Sequence, residues 1–156
     1  MRLVSLLGAV ALGLAVAYPA SAQLLDRKAL SLAEVKKIAD AAEAEAVKNK
    51  WNVAIAIVDD AGNLLYFRKL DGTQVGSVNI AIGKAKTSAI LRRPTLALEE
   101  AVKGGRNVLL ALDGLTPLEG GVPIKTGDQV IGAIGVSGVT SQQDAQIAMA
   151  GANLVK

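Results

Sequence analysis

Leu118-Glu119-Gly120-Gly121-Val122-Pro123-Ile124-Lys125-Thr126-Gly127-Asp128-Gln129-Val130-Ile131-Gly132-Ala133-Ile134-Gly135-Val136-Ser137-Gly138 reads as a tight apolar hairpin that turns at Gly127-Asp128. Glycine inside a strand gives up side-chain packing and weakens it, unless another backbone or a ligand must approach closely there. The run therefore predicts either a packing seam or the wall of a site. A hairpin also commits this part of the chain to antiparallel pairing, which points to an α+β domain rather than a doubly wound parallel one.

Working back from this hairpin, Asn107 to Leu112 has the composition of a further strand, joined to it by a loop containing Pro117. Gly104-Gly105 stops a short helix that starts after Thr95 and runs through Val102 and Lys103. Pro94 ends the helix before it, predicted over Ser77 to Leu91. That helix carries Val78, Ala81, Ile82, Ala85 and Ala89 on one face and Lys84, Thr87 and Leu91 on a neighbouring one. Earlier still, Trp51 to Val58 and Leu64 to Leu70 flank the turn residues Asp59-Asp60-Ala61-Gly62-Asn63, a second hairpin. Ser31-Leu32-Ala33-Glu34 is a capping box for a first helix over Leu32 to Lys48, with Leu32, Val35, Ile38, Ala39, Ala42 and Ala46 at helical spacing. Beyond the opening hairpin, Ser141-Gln142-Gln143-Asp144 reads as a second capping box, with Ala145, Ala148, Met149, Ala152 and Val155 on its helix. The expected architecture is a single layered α+β domain, an antiparallel sheet with helices packed on it.

Residues 1–22 have the form of a secretory signal: Arg2, an apolar stretch from Leu3 to Ala17, and the small-residue site Ala20-Ser21-Ala22. Such a leader predicts a periplasmic or secreted protein whose mature domain spans 23–156, with no membrane association after cleavage. Without Arg2 the 17 basic side chains become 16 against 14 acidic ones. No Lys/Arg cluster with interleaved aromatics is present, which argues against a nucleic-acid partner. The chain has neither cysteine nor histidine. Disulfides, Ser-His-Asp and Cys-His catalysis, His-ligated zinc and His-ligated haem are thereby excluded. Chemistry must rest on carboxylates, Lys, Arg, Tyr, hydroxyls or backbone groups.

Taken together, Val58-Asp59-Asp60-Ala61-Gly62-Asn63-Leu64, Lys84-Ala85-Lys86-Thr87-Ser88-Ala89, Leu118 to Pro123, and Val130 to Gly138 followed by Gln143-Asp144 resemble the GlcG/HbpS family. This haem-binding or haem-degrading domain family includes the C-terminal domain of PduO-type proteins, and the resemblance spans nearly all of 23–156. It implies a profilin-like domain that assembles into tetramers or octamers. It further implies, for some members, haem binding, haem breakdown, iron handling or redox sensing. Members of the PduO type are thought to hold haem through histidine, which this chain lacks. The resemblance leaves a hydroxyl-ligated or unligated mode; no metal site of the protein's own is expected.

Candidate ligand-binding residues follow, each beside its plainer role. Glu119, Gly120 and Gly121 form either a loop whose amides meet a carboxylate or propionate, or a sharp turn into a strand. Lys84 and Thr87, near one turn apart, face either a pocket or solvent. Thr95 is a second candidate hydroxyl, or a helix cap. Arg92, with Arg93 and Arg106, suits a propionate or small carboxylate, or lies on the surface. Asp59 and Asp60 are either paired catalytic carboxylates or turn residues bonded to their own backbone, the reading a hairpin turn favours, and Asp144 is explained by its capping box. Met149 is a soft ligand in principle and, on an alanine-rich helix, a core residue. Trp51, Tyr66 and Phe67 are few aromatics for a macrocycle pocket. The leading expectation is an exported, oligomeric haem-binding protein. A binding protein or enzyme accessory for a small 2-hydroxy acid or aldehyde, using Lys84 and the glycine loop, is the alternative; an interaction module packed through its glycines is the third.

Overall fold

The computed structural model describes residues 26–155, so the expected leader lies outside the described residues. In chain order it has α1 (Leu32–Lys48), β1 (Ala54–Asp59), β2 (Leu64–Lys69), α2 (Ser77–Leu91), α3 (Leu96–Lys103), a 3-10 turn (Asn107–Ala111), β3 (Gly121–Thr126), β4 (Gln129–Ser137) and α4 (Ser141–Ala152). The four strands form one antiparallel sheet in the order β2-β1-β4-β3. Both expected hairpins are present, and their pairing makes the molecule the α+β, profilin-like domain that the sequence suggests.

Period-two alternation along β1 sorts the core into two layers. Val53, Ile55 and Ile57 join Val35, Ile38, Ala42, Ile124, Ile134, Val136, Ile147 and Ala148 in the larger cluster, under α1 and α4. Ala54, Ala56 and Val58 join Ala81, Ala85, Ala89 and Ala133 in the smaller one, under α2. Alanine on α2 lets its backbone lie close to the sheet, and the strand glycines let it lie closer still. A Cβ added at Gly135 would run into Ala81 O and Ala85 N, and one at Gly121 would run into Lys84 O. At Gly121 and Gly135 the glycine-rich hairpin is thus an intramolecular seam between the sheet and α2.

Three local expectations are corrected. Asn107–Ala111 is a 3-10 turn, not a strand. The chain reverses at Gly105 in the left-handed region and brings this segment to no strand, so its β-favouring composition has no ladder to join. At α4 the capping box is one residue earlier: Thr140 Oγ1 accepts from Gln143 N, and Gln143 Oε1 accepts from Thr140 N. That register releases Asp144 from capping. Thr95 precedes α3 without a side-chain cap hydrogen bond, because its hydroxyl is engaged elsewhere.

Candidate functional site

The loop before β3 is held from three sides. From α2, the Lys84 side chain reaches Val136 O at 3.0 Å and Asp144 Oδ2, on α4, at 2.8 Å. Both members of this ion pair are almost fully buried, at 2 % and 3 % side-chain exposure. Burial pushes the Asp144 carboxyl above the usual aspartate range, against the pull of Lys84 and the Val139 and Gly138 N–H groups. Gly120 lies over the pair with φ +121, and a Cβ there would sit 2.8 Å from Lys84 Nζ. Glycine at 120 is required twice, by backbone conformation and by the ammonium beneath it.

Next to it, Gly121 N donates to Thr95 Oγ1 at 2.9 Å, while Thr95 N donates to Gly121 O at 3.0 Å. Thr95 therefore pins the first residue of β3 to the start of α3. On the far side of the loop, Glu119 N donates to Glu99 Oε2 at 2.6 Å. Burial raises the Glu99 carboxyl, but Lys103, the Glu119 N–H and the nearby Lys84 charge outweigh it and hold Glu99 below the usual glutamate range. Thr87, fully buried, accepts from Thr116 N at 2.8 Å and ties the preceding loop to α2.

This scaffold leaves an apolar cavity of about 180 Å³ lined by Pro94, Leu96, Glu119, Gly120, Gly121, Val122, Ala145 and Met149. Ala145 and Met149, four residues apart on α4, share the face turned to it. Met149 is 46 % exposed, a correction to its expected core position. A larger apolar hollow of about 460 Å³ adjoins across the Leu118-Glu119 peptide, with Val102, Leu110, Leu115, Pro117 and Leu118 in its walls.

The candidate residues thus divide. Glu119, Gly120 and Gly121 do line a cavity. Lys84 and Thr87 do not open into a common pocket, nor do they face solvent; each is buried and spoken for. Thr95 is likewise fully buried. Arg92 lies elsewhere, in a polar hollow of about 380 Å³ with Arg27, Lys125 and Asp128. Arg93 and Arg106 line a third hollow, against the opposite flank of α3. Asp59 closes its turn as expected, accepting from Ala61 N and Asn63 N. Among the described residues no group of three or more His, Cys, Asp or Glu side chains is placed to hold a metal ion, and no helix is long and apolar enough to cross a membrane.

Sequence reasoning missed Asp144, whose local pattern reads as a cap and whose partner stands 60 residues away. It also missed Glu99 and the Pro94-Leu96 wall, which only the fold brings to the glycine loop.

A family model described as haem degrading protein, HbpS-like, matches residues 30–153. Protein GlcG of Escherichia coli strain K12 is 45% identical over 108 residues, covering 69% of this chain and 81% of that protein. Among solved structures, a double mutant of Streptomyces reticuli HbpS superposes with a TM-score of 0.79 at 31% identity, covering 90% of this chain and 99% of that one. A PduOC complex with heme shares the fold, with a TM-score of 0.75 at 24% identity over 83% of this chain and 96% of that one.

Proposed function

Since the chain belongs to the HbpS-like family of haem-degrading proteins, we propose that it is an exported, oligomeric haem-binding protein that holds haem at the apolar cavity beside Gly120 and Gly121. The observation that carries this reading is the cavity and its surroundings. Its lining is apolar apart from Glu119, its glycine wall is fixed by buried hydrogen bonds, and Leu96, Leu118 and Met149 stand partly uncovered around it. An apolar surface with one soft donor suits a porphyrin face. The volume is too small to enclose a macrocycle, so haem lies across the cavity and the Leu118 hollow, with one face left for a second subunit to cover. Arg93 and Arg106 lie on the opposite flank of α3, so the cation lining this side of the helix is Lys103, in the wall of the Leu118 hollow and paired with Glu99. Haem supplies redox-active iron when bound; the chain's own part is to bind it, orient it and exclude water from one face.

Titration of the chain from residue 23 onward with hemin tests this, with a shifted Soret band and a defined stoichiometry as the expected result. Unchanged hemin spectra across the titration would overturn it. A second reading, binding of a small carboxylate, is favoured at a different place from the one the sequence suggests. Lys84 is closed by Asp144, whereas Arg92 and Lys125 line a polar hollow that also holds Asp26, Asp128 and Arg27, the last paired with Asp60. Glycolate or lactate protecting the fold against heating, with the protection lost in Arg92→Ala, would support it.

A further inference from the structure

Resting on the haem reading, we infer that the Met149 thioether is the protein's ligand to the haem iron. The chain contains no histidine and no cysteine. The two hydroxyls nearest the cavity's glycine wall, Thr87 and Thr95, are both fully buried, and each already accepts a backbone hydrogen bond. The nearest amine, Lys84, is 2 % exposed and bound to Asp144 and Val136 O. What remains among the cavity's lining side chains is one thioether, Met149, and one carboxylate, Glu119, while in the adjoining hollow Thr116 turns its hydroxyl against Gly83 of α2 and Glu99 is paired with Lys103.

The two differ in access. Glu119 is only 8 % exposed, while Met149 is 46 % exposed and stands on the helix face turned toward the cavity. At 46 % exposure Met149 gives little to the core, which α4 reaches on its opposite face through Ile147. The only other methionine, Met1, belongs to the expected leader. A neutral, soft sulfur donor favours ferrous over ferric iron and raises the reduction potential of a haem it ligates.

Hemin and dithionite-reduced haem are titrated into the chain from residue 23 onward and its Met149→Leu, Met149→His and Glu119→Gln variants, with far-red absorption and the haem midpoint potential as readouts. The wild type and Glu119→Gln should share a thioether-to-iron charge-transfer band in the ferric state and bind ferrous haem more tightly. Met149→Leu should lose the band, lower the midpoint potential and weaken binding about tenfold, and Met149→His should restore a ligated low-spin spectrum of different position. Because Met149 is half exposed, Met149→Leu should unfold at the wild-type midpoint. If the wild type and Met149→Leu bind haem with the same spectrum and potential, the ligand assignment is overturned and the haem reading stands. A wild type without the far-red thioether band, whose spectrum changes in Glu119→Gln and not in Met149→Leu, would move the ligand to that carboxylate. If the wild type binds no haem, both fall.

Discussion

Lys84 Nζ and Asp144 Oδ2 meet at 2.8 Å, joining α2 on one face of the sheet to α4 on the other around the end of β3. Each was taken out of water to make the contact, so the pair as a whole adds little net stability. Removing one partner is different, because a charge is left buried and uncompensated. Lys84→Met or Asp144→Leu should each cost about 3–5 kcal/mol, while the double variant should recover most of that loss. Urea unfolding of the four species reads the coupling; additive single costs would show that the pair is not a unit.

The glycine seam gives a second expectation. Gly135→Ala and Gly121→Ala place a methyl group against α2 backbone atoms that have no freedom to move aside. Each should destabilise by about 1–3 kcal/mol or more, read as a lower thermal midpoint. Gly76→Ala is the control, since nothing lies within 4 Å of its added Cβ and its φ of -61 is ordinary. It should be neutral or slightly stabilising. The oligomeric state of whatever folds should be unchanged, because the seam faces the chain's own helix. Dissociation of the assembly without loss of fold would contradict this.

Thr95 and Thr87 act through backbone amides. Thr95→Val removes the acceptor of Gly121 N, and Thr87→Val that of Thr116 N, each at a buried hydroxyl. An orphaned buried donor costs about 1–3 kcal/mol. Both variants should lose stability by that amount, and Thr95→Ser should regain most of it. The haem spectrum of folded protein should keep its shape in all three, which separates a positioning hydroxyl from an iron ligand.

The elements were legible in the sequence because each carries its own local signal. Val35, Ile38, Ala39, Ala42 and Ala46 repeat at helical spacing, Gly127-Asp128 sits between two apolar runs, and Pro94 closes α2. The site was only half legible. Glu119, Gly120 and Gly121 announce a special backbone, but what they face is set by residues far off in the chain: Lys84, Thr95, Glu99 and Asp144. Lys84 reads as a surface or pocket residue because nothing near it in sequence shows that a carboxylate waits on the opposite layer. Asn107 to Leu112 failed for the complementary reason: strand propensity is a preference for a half-buried pleated neighbour, and the fold offers that segment none.

The carboxylates set the pH dependence, and they do not act alike. Burial raises the Asp59 carboxyl, but the Asn63 side chain and the Asn63, Ala61 and Gly62 N–H groups overcome it and hold Asp59 below its ordinary value. Glu99 is depressed in the same sense. A group depressed in the folded state contributes stability that is complete above its unfolded pKa, about 4, and is lost as pH falls through the folded value. Asp144 is raised, so it binds its proton more readily folded than unfolded. Over the window between its unfolded and folded values, its contribution grows as pH falls, opposing the other two. Acid unfolding below about pH 4 should therefore be driven by Asp59 and Glu99. Urea midpoints measured from pH 7 down to pH 2 should show Asp59→Asn and Glu99→Gln about 1 kcal/mol less stable than wild type at neutral pH, with a flatter acid limb. Asp144→Asn should keep the acid limb. An acid limb that survives Asp59→Asn and Glu99→Gln together but vanishes in Asp144→Asn would reverse the assignment.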